Sequence, residues 1–147
     1  MKRRILLVDD DLAVLLTLKA VLELHGFEVE TASSKTEAFA RMESGVYHMV
    51  ISDLRMETED AGLEVIRAAH RQHYVPATAL LTAFPPSEEQ LASHPPLENQ
   101  PDSMLVKPLG TRELIRQIEA LLIHHADRQH LKKGSSPDTQ IQRRSAG

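Results

Sequence analysis

A repeating rhythm constrains this chain most. Short, largely apolar runs end abruptly in polar or charged residues, and segments with helical periodicity separate them. Ile5-Leu6-Leu7-Val8 ends in Asp9-Asp10-Asp11, Met49-Val50-Ile51-Ser52 in Asp53, Ala77–Leu81 in Thr82, and Met104-Leu105-Val106 in Lys107. Ile5–Val8 is apolar at every position rather than at alternate ones, which fits a strand buried on both faces, as in a parallel sheet. Phe27–Thr31 reads as one more short strand.

The intervening segments predict helices. Asp11 caps one over Leu12–His25, where Leu12, Leu15, Leu16, Leu18, Val21 and Leu22 recur at helical spacing and Gly26 stops it. Ser33 or Ser34 caps a second through Glu43, with Ala38, Phe39 and Met42 inward and Gly45 closing it. A third covers Leu63–His73 with Val65, Ile66 and Ala69 on one face. Thr111 caps the last, whose stripe is Leu114, Ile115, Ile118, Leu121 and Leu122. The leucines of the first and last helices are expected in the core. Strands alternating with helices imply right-handed crossovers and an α/β, doubly wound, five-stranded parallel sheet.

Two stretches break the rhythm. Five of the eight prolines (Pro85, Pro86, Pro95, Pro96 and Pro101) fall in the 24 residues between Thr82 and Lys107. Proline removes an amide donor and disfavours helix in the preceding residue, so at most Ser87–Ser93 can be helical there. Residues 1–123 are read as one domain. Residues 124–147 are read as a helix extension towards Lys133 followed by a disordered, basic tail beyond Gly134.

Composition excludes several functions. No Cys means no disulfide scaffold, thiolate zinc site or Cys nucleophile. Aromatic residues are 3% of the chain with no Trp, too few for base-stacking platforms. Residues 1–123 carry 12 basic and 19 acidic side chains, a net −7, which repels a nucleic-acid backbone, while residues 124–147 carry five basic and two acidic. The longest apolar runs are far short of a membrane span of about 20 residues. Met1-Lys2-Arg3-Arg4 is followed by only four apolar residues before three acids, so the chain is expected to be cytoplasmic.

In a doubly wound sheet, ligands sit outside the carboxyl ends of the strands. The strand ends here bring Asp9, Asp10, Asp53, Thr82 and Lys107 to that rim. Converging carboxylates need a cation or protons to be stable together. Oxygen donors with open water positions suit Mg²⁺, with Mn²⁺ as the alternative. A lysine and a hydroxyl are what a phosphoryl group needs, and one carboxylate can serve as nucleophile to form an acyl phosphate.

The residues Ile5-Leu6-Leu7-Val8-Asp9-Asp10-Asp11, Ile51-Ser52-Asp53-Leu54-Arg55-Met56, Leu80-Leu81-Thr82-Ala83 and Val106-Lys107-Pro108 resemble, in order, the motifs of a receiver domain of a two-component response regulator. The resemblance spans about residues 3–123 and implies a flavodoxin-like strand order of 2-1-3-4-5 with a disrupted fourth helix. It implies that Asp53 accepts a phosphoryl group from a phosphohistidine on a sensor histidine kinase or histidine phosphotransfer protein. Asp9, Asp10, Asp53 and the backbone carbonyl of Arg55 would hold Mg²⁺. Thr82 would contact the phosphoryl oxygens, Lys107 would pair with the phosphoryl group, and the Lys107–Pro108 bond would be cis. Such a domain assists its own phosphorylation without being a turnover enzyme. It signals through an unknown downstream protein target, with no direct DNA binding expected, as a monomer or weak dimer.

Three departures from the family pattern stand out. Glu57 replaces the usual Pro, in a loop one residue longer than usual, and is expected to alter metal or kinase recognition. Met104 replaces the usual Tyr or Phe. The proline-rich 85–101 segment is expected to be mobile and to weaken dimerisation. Two other readings compete. An interaction module could signal without phosphorylation. A Mg²⁺-dependent aspartyl-phosphate hydrolase could use the Asp9-x-Asp11 spacing, but the cap domain is missing. Tail residues His124, His125 and His130 lack acidic partners in the pattern, which counts against a metal or phosphohistidine there.

Overall fold

In the computed structural model, residues 2–83, 101–107 and 110–134 are described, with side chains described through Gln129. The chain runs β1 (Arg4–Val8), α1 (Leu12–Leu24), β2 (Glu28–Ala32), α2 (Lys35–Ser44), β3 (Met49–Asp53), α3 (Ala61–His70), β4 (Ala77–Thr82), β5 (Ser103–Val106) and α4 (Thr111–Gly134). The five strands are all parallel, in the order β2-β1-β3-β4-β5. This is the doubly wound arrangement that the strand rhythm predicts. The proline-rich stretch up to residue 100, the disrupted helix within it, the Lys107–Pro108 bond and the tail beyond Gly134 lie outside the described residues.

The apolar runs of β1, β3 and β4 are buried on both faces of the sheet, as expected of interior parallel strands, whereas β5 lies at the sheet edge and leaves Val106 42% exposed. Ile5, Leu7, Met49, Ile51, Ala79 and Leu81 face one core, with α1 and α4. Leu6, Val8 and Val50 face the other, with α2 and α3. A satellite cluster of Leu54, Ile66 and Leu80 is partly covered by Met104. The residue at the family's aromatic position thus fills apolar space beneath α3.

Three caps fall where the sequence places them, while Thr111, expected as a cap, is the first residue of α4, and the Gly110 carbonyl before it accepts the Leu114 amide at 2.9 Å. Asp11 accepts the amides of Ala13 at 3.0 Å and Val14 at 3.3 Å. Ser34 Oγ accepts the Glu37 amide at 3.1 Å. Gly26 takes φ +93°, and the Phe27 amide returns to the Leu22 carbonyl at 3.1 Å. Only a residue tolerant of positive φ closes a helix this way without strain.

Two expectations need correction. Leu12 and Leu16 are 64% and 68% exposed, so they are not core. Leucine at nearly every turn hides which arc faces the sheet; Leu15 and Leu22 define it, and Leu12 and Leu16 lie outside it. Helix α3 begins at Ala61 and ends at His70, rather than spanning Leu63–His73. Its start is set by the Gly62 amide donating to the Leu54 carbonyl at 2.8 Å. Past its end, Tyr74 packs partly buried, with its hydroxyl donating to the Met42 carbonyl at 3.0 Å.

Candidate functional site

Parallel register carries the strand ends to one rim. Val8 is level with Ser52, Asp53 with Leu81, and Thr82 with Val106. The residue that follows each matched pair therefore emerges at the same edge. Two backbone bonds extend the ladder: the Asp9 amide donates to Ala32 at 3.1 Å and the Lys107 amide to Thr82 at 2.8 Å.

Lys107 Nζ lies 3.4 Å from Asp9 Oδ2 and 3.3 Å from Asp53 Oδ1. Both contacts exceed the 2.7–2.9 Å typical of a charge-assisted bond, so one ammonium is shared loosely between two carboxylates. The Asp9 side chain is 3% exposed and the Asp53 side chain 13%. Asp9 Oδ1 also accepts the Asp11 amide at 2.9 Å. Asp10 is exposed, yet oxygens of Asp9, Asp10 and Asp53 all lie within 4.8 Å of one another. Thr82 is buried at the end of β4, one residue beyond the register partner of Asp53.

The electrostatics are under-compensated. Burial raises the Asp9 carboxyl above the usual carboxylate range, against the opposing pull of the Asp11 amide and Lys107. Burial also raises Asp53, and the Asp9 charge adds to it. Burial works to lower Lys107, but the two carboxylates outweigh it and hold the amine above its usual value. Three acids facing one lysine leave the rim short of positive charge. Clustered oxygen donors of this kind fit a hard divalent cation better than another lysine.

A model of the response regulator receiver domain matches residues 5–119. The chain belongs to the receiver domain family. A homolog of the transcriptional regulatory protein CpxR from Haemophilus influenzae is 35% identical over 119 residues, covering 81% of this chain and 50% of that protein. The transcriptional regulatory protein PrrA from Mycobacterium tuberculosis is 34% identical, covering 81% and 49%. This receiver chain thus spans about half the length of the relatives it matches. Among solved structures, a receiver domain from Methanospirillum hungatei superposes with TM-score 0.77 at 27% identity, covering 87% of this chain and 99% of that one. The response regulator TrrA from Thermotoga maritima, solved with Mg²⁺ and BeF, superposes with TM-score 0.67 at 31% identity, covering 81% and 98%.

The structure brings Asp9, Asp10, Asp53, Thr82 and Lys107 to one rim of the receiver, and Arg55 lies in the loop that follows β3. One residue with a part here escaped the sequence reading. A Cβ on Gly62 would meet the Asp53 carbonyl oxygen at 2.3 Å and Leu54 Cα at 2.7 Å. Glycine here lets α3 pack against the backbone that carries Asp53. With the helix read from Leu63, Gly62 looks like a loop residue; only the start of α3 at Ala61 places it in a first turn, where glycine costs about 1 kcal/mol against alanine and asks for a packing reason. Glu57, which the sequence singled out, has a partner that the sequence did not show. Its carboxylate does not stand free beside the crevice but accepts the Lys35 amide of α2 at 3.0 Å.

His125 also differs from its sequence reading. It lies 3.9 Å from Asp102 and bonds the Val75 carbonyl at 2.7 Å. The tertiary fold supplies the acidic neighbour that sequence spacing lacked. Among the described residues, no helix is long and apolar enough to cross a membrane.

Proposed function

We propose that this receiver accepts a phosphoryl group on Asp53 from the phosphohistidine of a sensor histidine kinase or histidine phosphotransfer protein. The observation that carries the reading is Lys107 Nζ lying between Asp9 and Asp53 at 3.4 and 3.3 Å, with Asp10 in the same oxygen cluster. A carboxylate oxygen of Asp53 forms the new O–P bond as the P–N bond breaks. The electron pair leaves with the imidazole nitrogen, which takes a proton.

Asp9, Asp10, Asp53 and the Arg55 carbonyl are the residues that would hold Mg²⁺. When bound, the ion supplies neutralisation of the anionic oxygens in transfer. Lys107 supplies the second positive charge, and Thr82 a hydroxyl donor for the product. Burial of Asp9 and Asp53 strengthens each of these interactions by excluding water. The chain acts once per phosphoryl group rather than as a turnover enzyme, and signals by changed contacts with a protein target in the cytoplasm. No direct DNA contact is proposed for residues 1–123, whose net charge is −7.

Incubation with Mg²⁺ and a small phosphodonor tests this. The expected product is an acid-stable, base-labile phosphoprotein, up to one equivalent per chain, absent in Asp53→Ala. No incorporation would favour the interaction-module reading. Turnover far beyond one equivalent would favour a hydrolase.

A further inference from the structure

The loop joining β3 to α3 is exposed over most of its length, yet it is held at both its end and its middle. At its end, the Gly62 amide reaches the Leu54 carbonyl at 2.8 Å. In its middle, Glu57 Oε2 accepts the backbone amide of Lys35, the first residue of α2, at 3.0 Å. That amide has no partner within its own helix, because the first turn of any helix leaves its N–H groups unused. Lys35 Nζ in turn pairs with Glu64 of α3 at 2.9 Å. Glu64, Glu57 and Asp60 together raise the Lys35 amine, most strongly through the Glu64 hydrogen bond.

We propose that Glu57 is a positioning residue for the metal site: tethered to the α2 amide, it fixes the loop that carries the Arg55 carbonyl. This rests on the Mg²⁺ reading above and adds to it. Arg55 lies two residues before Glu57, and between them Met56 is partly buried in the α2–α3 core. A loop held by Met56 and Glu57 has few ways to move its Arg55 carbonyl. Without the tether, the restraints that remain include Met56, the bond of its amide to the Thr58 carbonyl at 3.0 Å and the Gly62–Leu54 bond.

Mg²⁺ titration by calorimetry on the unphosphorylated full chain tests the proposal, with thermal unfolding in the absence of metal as a second readout. Glu57→Ala is expected to weaken Mg²⁺ binding roughly three- to tenfold, the scale of one helix-end hydrogen bond. Glu57→Gln removes the charge but keeps an acceptor oxygen, so it is expected to bind close to wild type. The donor side is separable too. Ser34 is extended at φ −155° and ψ 165°, which suits a following proline, and proline is tolerated at the first helical position. Lys35→Pro therefore removes the amide and is expected to match Glu57→Ala, with the double variant no weaker than either. Lys35→Ala keeps the amide and is expected to keep the affinity.

If Glu57→Ala and Glu57→Gln weaken binding equally, the effect is long-range charge and the tether idea falls. If Glu57→Ala binds Mg²⁺ as wild type does, the proposal falls while the metal reading stands. If wild type binds no Mg²⁺, both fall together.

Discussion

The two rims of the sheet treat a partly shielded carboxylate in opposite ways. At the carboxyl rim, Asp9 and Asp53 share one lysine at 3.3–3.4 Å and sit above the usual carboxylate range. At the amino rim, Asp102 accepts the Thr78 amide at 2.8 Å, the Thr78 hydroxyl at 3.2 Å and Arg128 at 2.8 Å. Burial works to raise Asp102, but Arg128 and Thr78 outweigh it and hold the group below its ordinary value. One carboxylate is satisfied by the fold, while the other two are left short of positive charge. A satisfied group stabilises; an under-compensated one is where a cation and a phosphoryl group gain most. The same α/β frame does both, because β5 and its flanks carry Asp102 at one end and Lys107 at the other.

The largest expected effect joins the carboxyl rim to its backbone. Gly62→Ala forces a Cβ to 2.3 Å from the Asp53 carbonyl oxygen, so the backbone must shift. A loss of about 3 kcal/mol in denaturant unfolding is expected, with slower phosphorylation. A silent Gly62→Ala would show that the carboxyl rim does not depend on this close approach.

Next comes the amino rim itself. Asp102→Ala leaves Arg128 and the Thr78 amide without their acceptor, for an expected loss of about 2 kcal/mol. Phosphorylation of Asp53 by a small donor is expected to continue in the folded fraction. Loss of phosphorylation without loss of stability would reverse the assignment of roles.

The same change at the other rim should have the opposite sign. In metal-free protein, Asp53→Asn removes a charge that burial and Asp9 disfavour, so stability is expected to rise by about 1 kcal/mol. Equal destabilisation by Asp53→Asn and Asp102→Asn in denaturant melts would erase the contrast between the rims.

The smallest effect is in pH. Asp102 is depressed in the folded state, so its contribution is present above the unfolded aspartate value of about 3.9 and is lost as pH falls through the lower folded value. The stability gap between wild type and Asp102→Asn should therefore hold above about pH 4 and narrow on further acidification. A gap that widens in acid would contradict the direction assigned to Asp102.

Much of this protein was legible before any coordinates. Short, largely apolar runs ending in Asp9, Asp53, Thr82 and Lys107 are local patterns, and a parallel sheet sends all such ends to one rim. Caps at Asp11, Ser34 and Gly26 are equally local, because a side chain and the next two or three amides decide them. The burial of Leu114, Ile115, Ile118, Leu121 and Leu122 followed from helical spacing alone. Spacing failed where it was over-rich: in α1 it could not say that Leu12 and Leu16 face solvent.

Contacts between residues far apart in the chain belonged to tertiary structure. Glu57 meets the Lys35 amide across 22 residues, and Arg128 meets Asp102 across 26. Periodicity reports which face of an element is apolar, but not which neighbour a polar side chain on that element will find. That choice depends on the packing of α2 beside α3 and of α4 beside β4, which decides which donors and acceptors come within reach.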